Sequence, residues 1–107
     1  MDAVADDTDV FHAIADPNRR QLLDLLATGD LPAQELANRF EISFAAVSQH
    51  LKVLRDAGLV SRRADGRQRI YTLTPERLQV VADWSARYRG FWESRLERLR
   101  EYLDAKK

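Results

Sequence analysis

The chain has 107 residues, 45% of them hydrophobic, with no cysteine and a formal charge of zero from 17 Lys or Arg against 17 Asp or Glu. Such a length suits one small domain whose modest core a dimer interface would enlarge, with no room for a second. The absence of cysteine, of any apolar run approaching about 20 residues and of a cationic leader argues against a disulfide scaffold, a membrane span and a recognisable secretion signal, so the expected location is cytoplasmic.

The neutral total hides a gradient along the chain. Residues 1–16 hold five Asp and no cation, giving −5, and residues 17–42 hold three cations against four anions, giving −1. Residues 43–74 hold six Lys or Arg against two Asp, giving +4, and residues 75–107 hold eight against six, giving +2. Phosphate binding follows the local field and counterion release, so a +4 segment doubled in a dimer suffices for a duplex, with weak non-specific binding and sharp salt sensitivity.

In chain order, residues 1–7 are expected to be a flexible acidic terminus and residues 8–107 a single domain. Thr8 or Asp9 caps a short helix through Ala15, with Phe11 and Ile14 three apart. Asp16 and Pro17 open a second helix at its cap and first-turn positions. Leu22, Leu23, Leu25 and Leu26 cover more than one face of it, so it should be the most buried helix, ending near Thr28-Gly29. Arg19 and Arg20, near its start, suit surface salt bridges, with a phosphate contact as the alternative.

Residues 32–57 read as a helix-turn-helix. Leu36 and Phe40 lie four apart on a first helix from Pro32 to Phe40, and the turn Glu41-Ile42-Ser43 is tight enough to force a steep crossing. With Ser43 as cap and about 100° per residue, Phe44, Ala45, Ser48, Gln49, Lys52 and Arg55 share one arc of the next helix, while Val47, Leu51 and Leu54 share another. The polar arc has small and hydrogen-bonding groups near the helix start and cations a turn or two on, the gradient needed to read base edges and meet phosphates. An ordinary amphipathic surface helix has the same periodicity, and the neighbouring elements decide between the two.

After Gly58, a left-handed stop, residues 59–74 form the expected wing: strands Leu59–Ala64 and Arg69–Thr74 around Asp65-Gly66. Arg67, Gln68 and Arg69 sit at or just past its tip, with Arg62 and Arg63 on the facing strand. A charged hairpin tip is commonly just solvated, but beside a helix-turn-helix it suits phosphate or minor-groove contact. Residues 75–105 read as one long helix with Leu78, Val81, Trp84, Tyr88, Phe91, Trp92, Leu96, Leu99, Tyr102 and Leu103 at spacings of three and four. That stripe is longer than one small core can cover, so it is assigned to a dimer interface together with the first helix, against the alternative of core packing alone. The expected interface residues are Phe11, Ile14, Val81, Trp84, Tyr88, Phe91, Trp92, Leu96 and Leu99.

The runs Asp16-Pro17-Asn18-Arg19-Arg20, Glu35-Leu36-Ala37, Val47-Ser48-Gln49-His50-Leu51-Lys52-Val53-Leu54, Ala57-Gly58-Leu59-Val60 and Gly66-Arg67-Gln68-Arg69-Ile70-Tyr71-Thr72-Leu73 together resemble the ArsR/SmtB family of winged-helix bacterial transcriptional repressors. The likeness spans roughly residues 8 to 75. It implies a mainly α fold, winged helix-turn-helix, with five helices and a two-stranded wing, acting as a homodimer through its terminal helices. It also implies an inverted-repeat operator that the dimer leaves when a metal or other signal arrives. Metal-sensing relatives place Asp, His and Glu ligands on the last helix or cysteines on the helix before the recognition helix. Here the last helix has no His, the cysteine position holds Ala37, Asn38 and Arg39, and the only histidines are His12 and His50. A metal sensor is not expected, although a site at His12 between subunits with an acidic partner stays open.

Ser48 and His50 project about 200° apart on a helix, so they form no nucleophile–base pair and no catalytic site or cofactor is expected. His50 lies on the side of Val47 and Leu54, as a hydrogen-bonding packing residue would. The resulting assignment is a DNA-binding repressor. Ser43, Phe44, Ala45, Ser48 and Gln49 lie nearest the bases, Lys52 and Arg55 toward the backbone, and Arg67, Gln68 and Arg69 in the flanking groove. Gln49 is the expected reader of adenine, and Phe44 or Ala45 would meet a thymine methyl. Two alternatives remain: a winged helix used for protein interaction, and the same repressor with a small-molecule effector under Trp84, Tyr88 and Trp92. The expected partners are double-stranded DNA and a second copy of the chain, with no membrane.

Overall fold

Asp16 shows how local chemistry sets the helix boundaries in the computed structural model, which describes residues 7–106. The first helix, α1 (Asp7–Ile14), has Asp7 and Asp9 in its first turn, where the helix dipole favours anions. The second, α2 (Pro17–Leu26), begins where the Asp16 carboxylate accepts hydrogen bonds from the backbone N–H groups of Asn18 at 2.8 Å and Arg19 at 3.2 Å. It ends at Leu26 with Ala27 as cap, and after a tightened turn Gly29, at φ 145°, turns the chain away. Leu22, Leu23 and Leu26 are buried, as their spread around the helix requires. The acidic terminus expected at residues 1–7 lies outside the described residues except for Asp7, which is helical.

The next segment departs from expectation in two ways. Leu31–Pro32 forms a short strand, β1, and the helix after it, α3, runs only from Ala33 to Ala37. The connection to the recognition helix is therefore 38–43, not three residues. Pro32 occupies the cap position of α3 and offers no side-chain acceptor, and tight bonds from Arg39 N to Leu36 O and from Phe40 N to Ala37 O unwind the helix before Phe40. In contrast, α4 (Phe44–Asp56) starts as anticipated, with Ser43 Oγ accepting from Ala46 N at 3.1 Å. It closes in a Schellman arrangement: Leu59 N donates to Leu54 O and Gly58 N to Arg55 O, with Gly58 at φ +78°.

Strands β2 (Val60–Asp65) and β3 (Gln68–Leu73) pair antiparallel from Val60 opposite Leu73 to Asp65 opposite Gln68. The two-residue loop is therefore Gly66-Arg67, one residue on from the Asp65-Gly66 centre expected. Gly66 alone has positive φ, at 63°, which is the pattern of a II′ turn with glycine first. On its other edge β3 takes β1, with Leu31 opposite Tyr71 and Pro32 opposite Ile70, so the expected two-stranded wing is a three-stranded sheet in the order β1-β3-β2. Proline is tolerated there because β1 is an edge strand.

The last expected helix is also divided. Pro75–Leu78 is a 3-10 turn, followed by α5 (Gln79–Ala86) and α6 (Arg89–Ala105). At the break Arg87 N and Tyr88 N bond back three residues, to Trp84 O and Ser85 O, and Tyr88 takes φ −105° and ψ 2°. Tightening of the turn just before Gly90, a poor helix former, accounts for the break. The described residues thus form six α-helices rather than five. Val10 and Ala13 of α1, the α2 leucines, Leu36, Val47, Leu51, Leu54, Leu59, Val60 and Tyr71 make one core, while α6 runs past it. No helix among the described residues is long and apolar enough to cross a membrane.

Candidate nucleic-acid interface

The two arcs of α4 separate as helical periodicity requires. Val47, Leu51 and Leu54 are essentially inaccessible, whereas Phe44, Ala45, Gln49 and Lys52 are exposed and Ser48 and Arg55 half-buried. Ser43 is exposed at the helix start, with its hydroxyl oxygen used as the cap. A large ring in water needs a reason, and Phe44, 49% exposed, stands at the end of α4 next to the wing. Pro32, Ala33 and Gln34 at the start of α3, Phe44, and Arg67, Gln68 and Arg69 of the wing line one groove of about 200 Å³. Helix start and wing tip therefore form a continuous surface. Pro32, Ala33 and Gln34 were absent from the sequence-based residue set because their place depends on β1 pairing with β3, which no local pattern in two residues reveals.

The cations divide into engaged and outward-facing. Arg63 pairs with Asp30 at 3.2 Å, and Arg62 donates to the Tyr71 hydroxyl at 3.4 Å, so both facing-strand arginines bind within the protein. Arg67 and Arg69 are exposed at the hairpin tip, and Gln68 lies between them. Lys52 donates to Asp56 at 2.8 Å one turn along α4. That hydrogen bond, opposed by partial desolvation and aided by the charges of Lys52 and Arg55, holds the Asp56 carboxyl below its ordinary value of 3.8. An exposed pair of this kind is weak enough for Lys52 to exchange Asp56 for a phosphate.

Among the described residues neither Arg19 nor Arg20 forms the surface salt bridge expected of it. Arg19 Nε donates to Ala13 O at 2.7 Å and Nη2 to His12 O at 3.1 Å, while Arg20 Nη1 donates to Ile14 O at 2.8 Å and Ala15 O at 3.2 Å. Both donate to carbonyls at the C-terminal end of α1 and just beyond it, where cations also complement the helix dipole. Arg19 Nη1 further contacts His50 Nδ1 at 3.2 Å, so His50 is a hydrogen-bonded packing residue as its position on the helix suggested. Partial desolvation pushes the Asp16 carboxyl up, but the two backbone N–H bonds at the α2 cap, with the Arg19 charge nearby, outweigh it and hold the group below 3.8.

The aromatic stripe is the second exposed surface. Trp84, Tyr88, Phe91, Trp92, Leu96 and Leu99 are each about half exposed or more. Phe11 packs edge-on against Trp84 at 5.8 Å and Trp84 against Tyr88 at 5.6 Å, joining α1 to α5. Trp84, Ser85, Tyr88, Phe91 and Trp92 line an open cavity of about 300 Å³ at the break between α5 and α6. Ile14 and Val81 stand apart from this group, being partly buried against the core.

Known proteins share this fold. Residues 16–62 match the family described as bacterial regulatory protein, arsR family. The chain is 41% identical over 75 residues to the transcriptional repressor SdpR of Bacillus subtilis, covering 70% of this chain and 83% of that protein. It is 39% identical over 95 residues to the HTH-type transcriptional regulator Rv2034 of Mycobacterium tuberculosis, covering 89% of this chain and 86% of that protein. The crystal structure of an ArsR family transcriptional regulator superposes with a TM-score of 0.72 at 32% identity, covering 81% of this chain and 90% of the other. With this much of each relative spanned, and with the winged helix-turn-helix in place, the chain belongs to the ArsR family of bacterial regulatory proteins, DNA-binding regulators of transcription and not enzymes.

Proposed function

We propose that the protein is a homodimeric cytoplasmic repressor that binds an inverted-repeat operator and blocks transcription by occupying it. The observation that carries this reading is the continuous outward surface of Phe44, Gln49 and the groove to Arg67, Gln68 and Arg69. Two copies related by a two-fold axis would set α4 and its symmetry mate in successive major grooves, with Ser43, Phe44, Ala45, Ser48 and Gln49 toward the bases, Lys52 and Arg55 toward phosphates, and the wings flanking.

Dimerisation is supported by α6 itself. Trp92, Leu96, Leu99 and Leu103 recur at steps of four, three and four, an a/d seam, and all are more than half exposed. A parallel pairing would place Arg95 against the partner's Arg100. An antiparallel pairing centred between residues 97 and 98 instead sets Leu96 on the partner's Leu99, Trp92 on the partner's Leu103 and Glu93 beside the partner's Arg100. The Phe11–Trp84 pair extends the apolar surface onto α1.

Binding-site selection with the purified protein, followed by measurement of the mass of the complex, tests the whole reading. A palindromic site bound by two copies is expected, with half-site centres about one helical turn, 34–36 Å, apart. A protein that selects no sequence, or binds as one copy, overturns it. The cavity beneath Trp84, Tyr88 and Trp92 favours a second reading in which a small apolar effector binds there and biases dimer geometry. A thermal-shift screen of metals and metabolites tests it: a hit that also releases operator supports it, and a ligand that stabilises the protein without changing DNA affinity counts against it.

A further inference from the structure

We infer that Arg19 is a positioning residue for DNA reading: its guanidinium locks the recognition helix α4 to the end of α1, and thereby to the aromatic face where α1 meets α5. The inference rests on the operator-binding reading above. Three separate donors of one planar group are used: Nε to Ala13 O at 2.7 Å, Nη2 to His12 O at 3.1 Å and Nη1 to His50 Nδ1 at 3.2 Å. A guanidinium has no acceptor, so this contact is a hydrogen bond in the ring tautomer whose Nδ1 is free to accept. The fork is rigid, and all three bonds form together only when α4 holds one position relative to the last turn of α1.

His50 follows Gln49 on α4, about 100° further round the helix, and is half-buried, whereas Gln49 is exposed. A shift imposed at His50 therefore moves Ser48 and Gln49 with it as part of one helix. At its other contact α1 carries Phe11 against Trp84. A change in the geometry of the aromatic face thus reaches the reading residues through α1, Arg19 and His50. Asp16 accepts from the Arg19 N–H and fixes the backbone from which the guanidinium extends. Neighbouring Arg20 provides the internal control, since it holds the carbonyl of Ile14 at the end of α1 and that of Ala15 just after it, and its bonds stay within that corner.

The test uses the full-length protein, its selected operator and a scrambled duplex of equal length, with Arg19→Lys, His50→Leu, the double variant and Arg20→Lys. Arg19→Lys and His50→Leu are each expected to lower operator affinity about tenfold while scrambled-duplex binding changes less than about twofold, and the double variant should lose little more than either alone. His50→Gln, which keeps an acceptor, should recover part of the loss, and Arg20→Lys should keep the operator-to-scrambled ratio of the wild type. A purely structural role would lower both affinities together in step with the melting temperature. That result, or additive losses in the double variant, overturns the inference. If Arg19→Lys does not fold, His50→Leu and His50→Gln still decide the matter. Wild-type protein that selects no operator removes the underlying reading, whereas wild-type selectivity retained in every variant removes Arg19 alone.

Discussion

Gln49 presents a primary amide on the exposed arc of α4, with the hydroxyl of Ser48 half-buried beside it. An amide that reads adenine in bidentate fashion is worth about 1–3 kcal/mol of discrimination. Replacing Gln49 and Ser48 together by Ala should therefore lower affinity for the selected operator by at least about tenfold with little change on scrambled DNA. Retained affinity and selectivity in a gel-shift titration would remove both residues from the reading set. Arg67 belongs to a different class because it lies in the loop of the wing and faces solvent. Arg67→Ala should weaken binding to all sequences and flatten the log–log salt slope by about one unit, so an unchanged slope would show that it meets no phosphate. These placements were legible in the sequence because helical periodicity and a turn signal locate single residues well. Those of Arg19 and Arg20 were not, since the carbonyls they hold belong to another helix whose end is brought near only by packing.

At the scale of the element, the caps decide where α2 and α4 begin. Ser43→Ala removes the acceptor for Ala46 N and should cost about 1 kcal/mol in urea unfolding, without altering the affinity ratio between operator and scrambled DNA. Asp16 adds a pH dependence. Its folded-state pKa lies below 3.8, so the stability it contributes is present above that value and is lost as pH falls through the lower folded value. Asp16→Asn keeps an acceptor at the cap but not the charge. The variant's stability profile should be flatter below about pH 4, and a profile there parallel to wild type would show that the cap is insensitive to charge. Cap, stop and turn residues made α2, α4 and the hairpin legible, with Gly58 ending α4 where a left-handed residue was expected. β1 and the break at Tyr88 were missed. A two-residue strand has no period to detect, and the apolar stripe runs at helical spacing straight across the break.

For the whole molecule, the division of apolar surface matters most. Core residues from α1 to β3 are buried within one chain, whereas Trp92, Leu96, Leu99 and Leu103 all lie more than half exposed along α6. So large an apolar stripe in a chain spanning 61 × 37 × 21 Å calls for a partner surface. In the antiparallel pairing, Glu93→Arg or Arg100→Glu alone sets like charges across the seam and should weaken the dimer about two- to fivefold, a figure consistent with small exposed ion pairs. The two changes together should restore it. Sedimentation equilibrium measures this directly, and a double variant no tighter than the singles would rule out that register. Leu96→Glu is the stronger perturbation and should yield monomer with weakened operator binding, since two half-sites are then no longer held by one particle.

Periodicity, capping and turn chemistry are local properties, so the sequence by itself determined the recognition helix and its two faces, the hairpin, the apolar stripe of the last third and the family likeness. The tertiary structure decided which polar groups are engaged and which face outward. It paired Arg62 with Tyr71 and Arg63 with Asp30, placed Pro32, Ala33 and Gln34 beside the wing, and brought Arg19 to His50, 31 positions along the chain. Those pairings depend on where the chain returns in space, and the hydrophobic burial that folds it back is non-directional until the core has packed.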